Sequence, residues 1–137
     1  MQGSRLHGSR YNIKDYFGAL YTSLKLATAE AEMRRYYTVP PDCGFVAAQV
    51  EMHLSRVIDL TSRSLLRKAG LQLSGITADI CPATQEFGLQ AWEMGVEALL
   101  VPSAADPAER NLVVYLDNQR PDWRVRLRSV QPLAPPV

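Results

Sequence analysis

Apolar positions along this chain follow two rhythms, one near every second residue and one near every third or fourth. The stretch Gly18–Tyr37, GALYTSLKLATAEAEMRRYY, holds both. Ala19, Leu20 and Tyr21 form a short apolar run after a glycine, which predicts a strand over 18–22. Thr22 and Ser23 turn the chain. Leu26 to Arg35 is rich in alanine and free of glycine and proline, which predicts a helix. Leu26, Ala29, Met33 and Tyr36 or Tyr37 make one apolar stripe on it. Glu30 and Glu32 lie about 200° apart around such a helix, so they cannot share a face. Glu30 has Arg34 at i+4 and reads as an ordinary solvated pair. Glu32 sits among Ala29, Ala31 and Met33, where a carboxylate either closes local packing from the rim or serves chemistry.

The same rhythms divide the rest. Residues 1–12 are rich in Gly, Ser, Arg and His and predict a loop; 13–17 are an irregular bridge. Val39 to Gly44 contains Pro40-Pro41 and predicts a connector. Near-alternation from Phe45 to Met52 predicts a strand, Ser55 breaks it, and Arg56 to Leu60 predicts a second strand paired with the first. Thr61 or Ser62 is the expected cap of a helix to Ala69, stopped by Gly70. Residues 71–83 read mostly as loop. Thr84 to Met94 predicts a helix with Phe87, Ala91 and Met94 on one face, Leu89 and Trp92 beside it, and Gly95 at its end. Val96–Val101 and Leu112–Leu116 predict buried strands, the first ended by Pro102-Ser103, with a loop over 104–110 between them. In residues 123–130, Trp123, Val125 and Leu127 alternate with Arg124, Arg126 and Arg128, a strand pattern. A proline-rich tail occupies 131–137. About six strands and three helices in mixed order predict an α+β fold with mixed or antiparallel sheets, and 137 residues suffice for one domain.

Composition narrows the functional classes. A net charge of +1 gives no bulk electrostatic case for nucleic acid or a membrane surface. Cys43 and Cys81 are isolated and the histidines do not cluster, so no metal site is expected, and a reduced, cytoplasmic chain is. MQGSRLHGSR lacks the apolar stretch of a signal peptide, and no apolar run approaches the length of a bilayer span.

Four polar or aromatic positions are candidates for chemistry, each with a plainer alternative. Arg10 is either a surface arginine or, on a Gly/Ser loop, a guanidinium fork for a diphosphate. Tyr21 is either a core aromatic or a flat face for a heteroaromatic ring. Glu32 is structural or catalytic. Ser103, at the end of an apolar strand, is a turn residue or part of a site that opens there.

In sequence order these residues carry a pattern. Gly8-Ser9-Arg10-Tyr11-Asn12 is followed by Ala19-Leu20-Tyr21, then by Ala31-Glu32-Met33-Arg34. Ile58-Asp59-Leu60-Thr61, Val101-Pro102-Ser103-Ala104 and Asn111-Leu112-Val113-Val114-Tyr115 complete it. The series resembles the RES-domain family, named for an arginine, a glutamate and a serine, whose members read approximately GGRWN, ALY, ETALAEVR, LDLT, YPSAR and GNLVLF. The match runs from residue 8 to about 118 in order and spacing. The resemblance implies an ADP-ribosyltransferase-like fold over a single domain, 1–137. It further implies the toxin of a bacterial toxin–antitoxin pair, with a helix-turn-helix (Xre-like) antitoxin as partner and NAD⁺ as substrate. It implies Glu32, Arg10 and Ser103 as catalytic residues, and Arg10, Tyr11, Tyr21, Ser103 and Asn111 as NAD⁺-binding ones. The implied reaction is cleavage of the nicotinamide–ribose bond with water or phosphate as acceptor; the alternatives are ADP-ribosyl transfer to a protein, or a non-catalytic remnant that only binds its antitoxin. A homo-oligomer stays open. The chain departs from the pattern at Ser9 and Tyr11, which replace glycine and tryptophan. Lys25-Leu26 stand for a serine–proline helix start, and Ala105-Asp106 occupy the place of a second arginine. Arg10 also lies almost at the start, where the family carries a further segment.

Overall fold

A computed structural model describes residues 5, 8–36, 44–78 and 82–132. The elements are β1 (Leu20–Ser23), α1 (Leu26–Tyr36), β2 (Val46–Met52), β3 (Val57–Asp59), α2 (Arg63–Lys68), α3 (Leu73–Thr77), α4 (Pro82–Glu93), β4 (Ala98–Pro102), β5 (Arg110–Val114) and β6 (Val125–Pro132), with a 3₁₀ turn at Leu116–Asn118. The fold is α+β. One sheet has the order β1-β5-β4-β3, and β2 with β6 forms a separate two-stranded ribbon.

The hydrophobic runs explain the main sheet. β4 is buried nearly throughout and lies between β5, antiparallel, and β3, parallel. Leu99, Val101 and Val113 from these strands join Phe17, Ile76 and Tyr115 in the core. Phe17 stacks on Trp92 with ring centroids 4.8 Å apart and meets Tyr115 edge-on at 5.4 Å.

The expected pairing of 45–52 with 56–60 is not formed. β2 pairs with β6 and β3 with β4. The cause lies in the join. Ser55 N–H and Arg56 N–H both donate to Glu97 Oε2, and Glu97 N–H donates to the Arg56 carbonyl. The chain is thereby drawn onto the β4 edge instead of folding back. Residues 71–83, read as loop, contain α3, and α4 starts at Pro82, a position where proline's missing N–H costs nothing. That makes four helices among the described residues. The buried face of α4 is Thr84, Gly88 and Ala91, whereas Met94 is exposed. The strand expected to reach Leu116 ends at Val114, and the chain enters the 3₁₀ turn. The start of the proline-rich tail, Gln131-Pro132, belongs to β6; the rest of the tail, Val39–Cys43, Tyr37 and Cys81 lie outside the described residues.

Caps and turns follow local chemistry. Ser62 Oγ accepts from Leu65 N–H at 3.2 Å and starts α2. Asp59 Oδ1 accepts from the Thr61 hydroxyl at 2.6 Å and the Thr61 N–H at 2.9 Å, which holds its carboxyl below the usual range. Ile58-Asp59-Leu60-Thr61 is thus a structural turn between β3 and α2. No helix of the described residues is long and apolar enough to cross a membrane.

Candidate active site

α1 leaves the end of β1 and lies along it, so its inward side faces a cavity of about 480 Å³ between strand and helix. Ala29, Glu32 and Met33 line this cavity from α1, at i, i+3 and i+4. Of the apolar stripe, Ala29 and Met33 form part of the cavity wall, and Leu26 at its start is 42% exposed. Tyr21, Thr22 and Ser23 line the opposite side from β1, with Asn111 from β5 and Ser9 and Arg10 from the N-terminal loop.

Glu32 is held asymmetrically. Its Oε1 accepts four hydrogen bonds: Ser103 Oγ at 2.7 Å, Asn111 Nδ2 at 2.7 Å, Ala104 N–H at 3.0 Å and Ala105 N–H at 3.3 Å. Among the described residues no hydrogen bond is formed by Oε2, so the second oxygen remains for the cavity. Burial raises the pKa of this carboxyl, but the bonds from Ser103, Asn111, Ala105 and Ala104 lower it by more, so the net direction is below the ordinary value of 4.5. All four donors are neutral. The charge is stabilised by oriented dipoles and, among the described residues, forms no ion pair with a cation.

Each donor is itself fixed. Ser103 is fully buried, and its Oγ accepts from the Ala105 and Asp106 N–H groups while donating to Glu32. Asn111 sits opposite Ser23 in the β1–β5 register, and Ser23 Oγ donates to Asn111 Oδ1 at 2.7 Å, which turns the Asn111 amide toward Glu32. Arg35, one turn beyond Glu32, donates to the Ala104 carbonyl and, at 2.7 Å, to the Thr77 carbonyl, tying the loop after β4 to α1.

The arginine loop is built with similar economy of freedom. Gly8 has φ of +67°, and a Cβ there would lie 2.9 Å from Lys14 N. Thr84 Oγ1 donates to the Arg10 carbonyl at 2.6 Å, and Gln85 Nε2 to the Ser9 carbonyl at 3.0 Å. A Cβ on Gly88 would fall 2.0 Å from the Tyr11 carbonyl oxygen, so only glycine admits the loop this close to α4. The Arg10 guanidinium donates from Nε and Nη2 to the Ala78 carbonyl, at 3.2 and 2.7 Å. Tyr21 is oriented by its hydroxyl, which donates to Asn12 Oδ1 at 2.6 Å and accepts from Tyr11 N–H at 3.0 Å. Its ring, 38% exposed, remains against the cavity.

The structure therefore brings Arg10, Tyr21, Glu32 and Asn111 to one cavity, with Ser103 directly behind Glu32. Tyr11 is not on the wall: it is 2% exposed, in the core beneath the loop, and its carbonyl accepts from Tyr115 OH. Burial raises the Tyr115 phenol well above its ordinary value, so it stays a neutral donor. Ser23, Asn12 and Arg35 are supporting residues that reading the sequence did not single out. Asn12 stood inside the GSRYN motif. Ser23 becomes visible only through strand register, and Arg35 resembles any cation in the last turn of a helix. Among the described residues, no three His, Cys, Asp or Glu side chains gather where they would hold a metal ion.

Comparison with known proteins adds three findings. The family model described as RES domain matches residues 1–134. In the crystal structure of the M. tuberculosis MbcT–MbcA toxin–antitoxin complex, the MbcT toxin is similar to this chain, with a TM-score of 0.80 and 26% identity over 97% of this chain and 75% of that one. No curated protein matches the chain.

Proposed function

The chain belongs to the RES-domain family, and on that premise we propose that it is the toxin of a toxin–antitoxin pair and cleaves the nicotinamide–ribose bond of NAD⁺. The observation that carries this reading is the asymmetric Glu32: one oxygen fixed by four neutral donors, the other left for the cavity. Breaking the glycosidic bond leaves positive charge on the ribose, and a preorganised carboxylate near the 2′-hydroxyl stabilises it. Tyr21 offers a flat face for the nicotinamide. Arg10, whose Nε and Nη2 donate to the Ala78 carbonyl, brings to the wall a guanidinium charge that suits a diphosphate. Ser103 and Asn111 act through Glu32, and Asn111, on the wall, also reaches the substrate. Water or phosphate takes the ribosyl C1′ as nicotinamide departs. An ADP-ribosyltransferase-like fold and a cytoplasmic setting, where NAD⁺ is at hand, agree with this reading.

The similarity to a toxin from a toxin–antitoxin complex supports a protein antitoxin as partner, for which a helix-turn-helix protein is the proposed type. With a net charge of +1 the chain has little attraction of its own for DNA, so DNA affinity should belong to the complex. The experiment is to incubate the purified chain with NAD⁺, with and without phosphate, and to identify products by mass. ADP-ribose, or its 1″-phosphate when phosphate is present, together with nicotinamide is the expected result. Intact NAD⁺ from a folded chain would overturn the proposal.

A further inference from the structure

The loop that follows β4 turns its amides toward Glu32 and one carbonyl away from it. Ala104 and Ala105 N–H donate to Glu32 Oε1, and Ala105 and Asp106 N–H donate to Ser103 Oγ. The Ala104 carbonyl accepts from Arg35 Nη1. Ala104 is 6% exposed, and a carbonyl at such a position needs a partner. Among the described residues, Arg35 supplies it.

The Ala104 carbonyl and the Ala105 N–H belong to one peptide unit and point in opposite directions. Glu32 and Arg35, at i and i+3 on α1, therefore hold that unit from its two ends. The carboxylate takes its N–H at 3.3 Å, and the guanidinium takes its oxygen. A cation on the oxygen draws density from the N–H and makes it a stronger donor, as hydrogen bonds in a chain polarise one another. No ion pair joins the two side chains among the described residues, and Arg35 is not on the cavity wall. The guanidinium is itself anchored: Nη2 donates to the Thr77 carbonyl at the end of α3, and Arg10 holds the next carbonyl, that of Ala78. The neighbouring Arg34 turns instead to Glu30, 3.9 Å away.

We propose that Arg35 is a positioning residue for the cleavage: it fixes and polarises the Ala104–Ala105 peptide, which pins one oxygen of Glu32 and leaves the other aimed at the ribose. The inference rests on the reading of Glu32 given above, but its physical core, a carboxylate charge sustained through a peptide, is measurable without substrate. The other acids of the loop are turned elsewhere: Asp106 Oδ1 accepts from Ala108 N–H, and Glu109 pairs with Lys25. Arg10 and Tyr21 share the cavity wall with Glu32, and neither residue type changes charge in the acid range. A carboxyl titration there reports Glu32.

The test follows the Glu32 side-chain carboxyl by ¹³C NMR in the full chain without NAD⁺. Arg35→Met should raise its midpoint toward the ordinary value of 4.5 and move the Ala105 amide proton upfield. Arg35→Lys, which keeps the charge, should restore most of both, and Arg34→Met should change neither. With NAD⁺, Arg35→Met should lower kcat about tenfold and leave KM nearly unchanged, the size expected for one charge-assisted hydrogen bond. Circular dichroism checks folding; if Arg35→Met does not fold, Arg35→Gln, which keeps helix propensity and a neutral donor, carries the same test. A merely structural tie would lower the melting temperature and leave the midpoint of folded molecules where it was, and that result would overturn the proposal. So would an equal rise in Arg34→Met, or a lysine that restores nothing. A native chain that leaves NAD⁺ intact overturns the reading of the reaction, and the titration alone then decides the role of Arg35.

Discussion

Two glutamates in this molecule are held by several donors each, and they differ in one respect. Glu97 is 2% exposed at the start of β4. Its Oε2 accepts from Ser55 and Arg56 N–H groups, and its Oε1 faces Arg120 Nε at 3.3 Å, an ion pair more than an aligned hydrogen bond. Glu32 has neutral donors on a single oxygen and a cavity beside the other. In Glu97 both oxygens are engaged and the charge is matched by a cation, so the group joins the β2–β3 connection to the sheet. In Glu32 the charge is oriented by neutral donors on one oxygen, beside the cavity. The number of donors alone does not distinguish these two carboxylates. What separates them is whether the charge has been cancelled.

The sharpest way to break this comparison is to remove each charge in turn. Glu32→Gln should lower NAD⁺ turnover by roughly 10²–10³, as for loss of one preorganised electrostatic contact. Its stability should move by no more than about 1 kcal/mol, since the amide oxygen still accepts. Toxicity on expression should disappear with it. Glu97→Gln should do the reverse, with unfolding easier by about 1–3 kcal/mol and turnover per folded molecule unchanged. Thermal unfolding and a nicotinamide-release assay on both variants decide it. If the two readouts fail together in both, the distinction is lost.

A smaller effect tests the donors. Ser103→Ala and Asn111→Ala each remove one of the two shortest bonds to Oε1. Each should cost turnover about tenfold, the equivalent of roughly 1.4 kcal/mol, and the double variant should fall short of the product because the donors act on one atom. Ser23→Ala should show a weaker version of the Asn111 effect. Additive losses in steady-state kinetics would mean the residues act separately.

Acid gives a milder test. The Glu32 pKa is lowered in the folded chain, so its contribution to stability is fully present above the ordinary value of 4.5 and is lost as pH falls through the lower folded value. The stability gap between the native chain and Glu32→Gln should therefore close below pH 4.5, by urea unfolding at a series of pH values. A gap that closes above it would contradict the lowered pKa. The smallest effect belongs to Glu30, whose carboxylate lies 3.9 Å from Arg34 on the solvent side of α1. Glu30→Gln should cost at most about 0.5 kcal/mol and no turnover.

Much of this was legible in the residues. The α+β class, the cap at Ser62, the buried β4 and β5 and the Glu30–Arg34 pair follow from local pattern, which is where periodicity and capping act. The family likeness singled out Glu32, Arg10, Tyr21 and Ser103. The partners of β2 and β3 were not legible, because Glu97, more than forty residues downstream, decides where Ser55 and Arg56 go. The meaning of the Ala29–Met33 stripe was also hidden: an apolar helix face reads the same whether it meets a core or a cavity. Ser23 and Asn111 become partners only through strand register, which no stretch of sequence contains by itself.

The central claim is that Glu32, unlike Glu97, holds its charge toward a ribose in this cavity. The most direct measurement is a ¹³C NMR titration of the glutamate side-chain carboxyls, alone and with ADP-ribose, which keeps the ribose but has no bond left to cleave. The Glu32 signal should titrate below 4.5 and shift when ADP-ribose is added, while the Glu97 signal should not respond to the ligand. A Glu32 carboxyl that titrates at or above 4.5, or is unmoved by saturating ADP-ribose, would contradict the account.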